Sequence, residues 1–188
     1  YQNALFPEEQ FVTNYRIGYV YYNYPQRNSG ESADLQEMHA VLSWPKLLGI
    51  DGLCPSYVLV KLWQASHDSL LPEASNGFAH IGMLDYGFTV PGIIPEIPEH
   101  LIKLHSEIVF NDGVTPTPGQ ASPDHRFSNA VFGVSTDVDL SALVGLKASS
   151  LVFTPGVFYQ ITMDKSKPSA IPGVYYGGVN ENGDEFWS

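Results

Sequence analysis

A chain of 188 residues, 44% hydrophobic and only 15% charged, can bury a core of normal size as one domain over residues 1–188 and is too apolar to stay disordered. Nine Lys and Arg against twenty Asp and Glu leave a net charge of −11, which argues against nucleic acid and against an anionic membrane surface as partners. A single cysteine, Cys54, excludes an internal disulfide and a Cys-rich zinc site, and no run of about 18 apolar residues offers a membrane span.

Seventeen Gly and fourteen Pro punctuate the chain and leave little room for long helices. The first β-type run is FVTNYRIGYVYY at 11–22. ESADLQEMHAVLSW at 31–44 predicts a short helix, with Ser32 or Asp34 as its cap and Pro45 as its stop. YVLVKLW at 57–63 alternates at period 2, with both faces partly apolar as in the wall of a sandwich or barrel. NGFAHIGM at 76–83 reads as strand-like around His80, where the flanking glycines allow a close approach. In HLIKLH at 100–105 the two histidines would face opposite sides of a straight strand.

The Pro-rich region 111–127 predicts a long loop over one end of a barrel. NAVFGVSTDVDL at 129–140 and SLVFTPGVFYQITM at 150–163 read as strands, and DVDLSALVGL at 137–146 as a second short helix. NENGDE at 180–185 reads as a polar hairpin turn. These elements predict an all-β protein, an antiparallel Greek-key sandwich or barrel with one or two short peripheral helices.

No catalytic signature is present: there is no GxSxG, HExxH, GxxxxGK or GxGxxG, so no residue is assigned a catalytic role. Cys54 reads as a small buried hydrophobe, and the carboxylate pairs Glu96 with Glu99 and Asp137 with Asp139 as solvated faces. Six histidines, at 39, 67, 80, 100, 105 and 125, are the stronger signal, because imidazole is the commonest transition-metal ligand. No HxH or HxxxH spacing occurs, so a metal site would have to be assembled from distant segments.

His39, four residues, Trp44, then Phe78, His80, Ile81 and Gly82, and later the segment from Asp137 to Leu143, follow one another in an order that resembles methanotroph surface proteins of the CorA and MopE type. Those are secreted or surface-bound β-rich proteins that hold copper(I) with two histidines and a tryptophan oxidised to kynurenine by a dihaem partner. The resemblance implies His39 and His80 as copper ligands, Trp44 as the modified residue and a secreted or cell-surface location. Trp63 with His67 is an alternative pairing. The expected function is therefore non-enzymatic metal binding, most simply of copper. Two other readings stay open: a secreted β-protein that binds an apolar or carbohydrate ligand through its many rings, and an acidic structural subunit of a surface assembly.

Overall fold

The computed structural model describes residues 1–22, 35–64, 76–94, 97–114, 125–141, 151–163 and 185–187. Their β-branched and aromatic runs form ten strands: β1 (Gln2–Leu5), β2 (Thr13–Tyr22), β3 (Leu35–Ser43), β4 (Leu53–Gln64), β5 (Gly77–Ile94), β6 (Ile97–Asp112), β7 (His125–Asp139), β8 (Val152–Phe153), β9 (Gly156–Thr162) and β10 (Glu185–Trp187). The protein is all-β and antiparallel, as its sequence leads one to expect. Chain neighbours pair in the order β1 to β7, then β9 and β10, with β8 branching from β7. The sheet is thus an up-and-down meander rather than a Greek key, and no second layer covers it among the described residues.

The helix expected at 31–44 is a correction. Residues 35–43 form β3, hydrogen-bonded on both sides, with His39 opposite Gly18 of β2 and Val60 of β4. Met38, Ala40 and Leu42 alternate with Glu37, His39 and Ser43, and two flanking strands that complete its backbone bonds outweigh the helical propensity of Leu, Glu, Met and Ala. Likewise Asp137–Asp139 of the second expected helix close β7. Its remainder from 142, the hairpin expected at 180–184, His67, Glu96 and most of the loop at 111–127 lie outside the described residues.

Directly paired residues share a face and successive residues alternate, so the register sorts every side chain onto one of two faces. One face collects Tyr15, Ile17, Tyr19 and Tyr21 of β2, Met38, Ala40 and Leu42 of β3, and Leu53, Tyr57 and Leu59 of β4. It continues through Leu84, Tyr86 and Phe88 of β5, Ile102, Leu104, Ile108 and Phe110 of β6, and Val157, Tyr159 and Ile161 of β9. A bulge between Val109 and Phe110 shifts the β7 partner from Asn129 to Phe127 and so brings Phe127 onto the same face. The other face carries Arg16, Glu37, His39, Ser43, Ser56, Asp85, Lys103, His105, Glu107, Asn129, Ser135, Gln160 and Thr162, mixed with Val41, Val58, Ile81 and Val109.

Burial follows these faces in an inverted sense. On β7 and β9 the polar face is the sheltered one, with Asn129, Gln160 and Thr162 only 7%, 6% and 9% exposed. Their apolar neighbours Phe132, Val134, Val157 and Tyr159 are 51%, 45%, 41% and 38% exposed. The only fully buried apolar side chains among the described residues are Val12, Ala130 and Val131. Soluble monomers rarely show a continuous apolar surface of more than a few hundred Å², and this one runs across every long strand.

Candidate functional site

The register decides which of the sequence-predicted residues can meet. His39 lies on the polar face, where its Nδ1 is 2.8 Å from Glu37 Oε1 and its ring covers Gly18, leaving no room for a side chain there. His80 pairs with Leu59 and Phe110 on the apolar face. The strand between them, β4, sets Val60 beside His39 and Leu59 beside His80, and these consecutive residues point in opposite directions. The two imidazoles are thus about 10 Å apart at the backbone and diverge through the sheet. The structure does not bring them together. Trp44 follows the last residue of β3, half-buried, with its backbone N–H donating to the Pro55 carbonyl at 3.0 Å. It stands at the strand's end while His39 is at mid-strand.

Two polar clusters form instead. On the apolar side, at the end of β6, the Tyr57 hydroxyl is 2.5 Å from His80 Nδ1, His80 Nε2 is 3.4 Å from Asp112, and Asp112 also accepts from His125 Nδ1 at 2.6 Å. One tautomer satisfies the run: Tyr57 O–H donates to Nδ1 and Nε2–H donates to Asp112. Hydrogen bonds from His125 first and His80 second hold the Asp112 carboxyl below the usual carboxylate range.

On the polar face, at mid-length of the two longest strands, His105 stands between Asp85 and Glu107, with Nδ1 2.6 Å from Asp85 Oδ1 and Nε2 3.4 Å from Glu107 Oε2. Beside it Lys103 is ion-paired with Asp137, which also accepts from the Thr154 hydroxyl. As expected of a strand, His100 and His105 fall on opposite faces. Cys54 is a free, half-buried thiol on the polar face, close to Ser56. A wide, open hollow near one sheet edge is lined by Asn14, Arg16, Val41, Ser43, Cys54 and Ser56, and offers hydrogen-bonding groups without enclosing a ligand.

Among the described residues no group of three or more His, Cys, Asp or Glu is placed to hold a metal ion. No described helix is long and apolar enough to cross a membrane, which says nothing about strands. No family model, curated protein or solved structure matches the chain.

The histidines stand out in the sequence more than the two faces do. The signal was present in Tyr15, Ile17, Tyr19 and Tyr21 set against Asn14, Arg16 and Gly18, and in Val157, Tyr159 and Ile161 set against Gln160 and Thr162. That alternation does not say which face is covered, and the burial supplies the answer.

Proposed function

We propose that this sheet is wall of a β-barrel that spans a lipid bilayer, with the apolar face against hydrocarbon and the polar face toward a water-filled lumen through which polar solutes pass. The observation that carries the reading is the inverted burial of β7 and β9, where amide and hydroxyl side chains are sheltered and aromatic and aliphatic ones are exposed. In lipid, closed antiparallel sheets are one of the two structures that satisfy their backbone, and their strands alternate apolar outward with polar inward.

Length supports the same reading. On β6 the apolar stretch Ile102–Phe110 is bounded on its face by His100 and Asp112. These are twelve residues apart (112 − 100), which at about 3.3 Å per residue and a tilt of about 40° gives roughly 30 Å along the membrane normal. The hydrocarbon core of a bilayer is about that thick. Tyr19 with Trp63, ring centroids 6.3 Å apart, are in register with the Asp112 end of this band, where an interfacial aromatic girdle belongs. Charge is sparse on the apolar face: Lys61 and Asp112 both sit near the strand ends that lead into the loops. The reading keeps a cell-surface location. It includes no copper site, because His39 and His80 diverge through the sheet.

The test uses single-cysteine variants in a Cys54→Ser background, spin-labelled at Val134 and Tyr159 on one face and at Ser135 and Gln160 on the other, in lipid vesicles. Labels at 134 and 159 are expected to collide with dissolved oxygen and to be shielded from a water-soluble nickel chelate, with the reverse at 135 and 160. Equal nickel access on both faces, or a protein that stays monomeric in water without detergent, would overturn the reading.

A further inference from the structure

Among the described residues the polar face carries, at mid-length of its two longest strands, a charged group in which one imidazole faces two carboxylates. Asp85 and His105 are direct cross-strand partners, and Glu107 lies two residues beyond His105 on the same face. A neutral imidazole has one N–H and cannot donate to both carboxylates, whereas an imidazolium can donate to both. The group therefore carries a charge of −2 when the ring is neutral and −1 when it is protonated.

Among the described residues no base compensates this charge. On β6 itself the nearest base, Lys103, is committed to Asp137. The same row of β4 presents the Cys54 thiol, and β7 presents Val131, Gly133 and Ser135, none of them charged. From β9 the Phe158 ring lies over Gly133 and meets the His105 ring edge-on at 6.2 Å, which adds an apolar wall and no cation. The Asp85 and Glu107 side chains remain 44% and 24% exposed, so the carboxylates reach the space in front of the sheet.

We propose that Asp85, His105 and Glu107 are the specificity-determining residues of this passage: they favour cations over anions, and more strongly when His105 is neutral. The proposal rests on the reading of the polar face as the wall of a lumen. Carboxylates at mid-length of a pore wall act on every ion that passes, and histidine is the side chain that ordinarily changes charge between pH 5 and 8.

The experiment is reversal-potential measurement on the full-length protein in planar bilayers under a potassium chloride gradient. The cation-over-anion permeability ratio is expected to exceed one and to rise about threefold from pH 5 to pH 8, as one unit of charge a few Å from the ion path implies. His105→Gln should abolish that rise, and Asp85→Asn should lower the ratio at pH 8. Glu107→Gln, which leaves the Asp85 to His105 bond intact, reads the same loss should the Asp85 variant fail to assemble. Conductance whose selectivity is the same at both pH values, or a His105→Gln protein that keeps the full pH response, overturns this proposal alone. No conductance from the unaltered protein overturns it together with the barrel reading.

Discussion

Strands β4 and β9 belong to one sheet and treat its faces differently. On β9 the alternation is clean: Val157, Tyr159 and Ile161 are exposed on one side, while Gln160 and Thr162 are buried on the other. On β4 both sides are apolar, with Tyr57 and Leu59 on the apolar face and Val58, Val60 and Leu62 on the polar one. The apolar residues on the polar face are not isolated, since Val41, Val58, Ile81 and Val109 form a half-buried row across β3 to β6. The difference teaches that the apolar face is the more uniform in chemistry, interrupted at mid-length by Ser106 and carrying the His80, Asp112 and His125 cluster toward one end, while the polar face is zoned, with an apolar row beside the charged row of Asp85 and His105. A uniform face suits a uniform solvent such as hydrocarbon, and a zoned face suits water in some places and packed side chains in others.

The largest effect expected is from charge placed on the uniform face. Val134→Arg should cost about 2–4 kcal/mol for a site at mid-depth in a bilayer. Asn14→Arg, at an exposed position on the polar face, should stay within about 0.5 kcal/mol. Reversible urea unfolding in lipid vesicles measures both. Equal costs for the two substitutions would erase the distinction between the faces.

Next in size is the packing of the polar face. A Cβ on Gly133 would enter the Phe158 ring, so Gly133→Val should destabilise by about 1–3 kcal/mol through overpacking. Combining it with Phe158→Ala should recover part of that cost, because the two changes share one space, and the double-mutant cycle reads the coupling directly. Strict additivity would mean that the ring does not occupy the site when the protein is in lipid.

Much of this organisation is legible in the sequence and some is not, for identifiable reasons. β2, β4, β7 and β9 stand out through β-branched and aromatic runs, and the separation of His100 from His105 follows from period 2 alone. β3 reads as a helix because Leu35, Glu37, Met38, Ala40 and Leu42 are good helix formers, and only neighbours distant in sequence make it a strand. The relation of His39 to His80 depends on register across β3, β4 and β5, where a shift of one residue turns a side chain to the opposite face. No local pattern encodes that parity. The Asp85, His105 and Glu107 group is hidden for the same reason, since Asp85 and His105 are twenty residues apart and meet only through the β5 to β6 pairing.

The smallest effect sharpens the boundary of the uniform face. Asp112 is the last residue of β6, beyond the apolar stretch, and its carboxyl is held below its usual range chiefly by the hydrogen bond from His125 and then by that from His80. A carboxyl with a lowered folded-state value contributes stability that is fully present above the unfolded value, near 3.9, and is lost as pH falls through the lower folded value. Asp112→Asn should therefore lower the melting temperature slightly at pH 6, and the gap to the unaltered protein should close as the pH falls below about 4. Thermal melts of both proteins at pH 6 and pH 2.5 check this. A gap that persists in acid would mean that Asp112 acts through packing or through the lipid headgroups at the end of the band, and not through its imidazole partners.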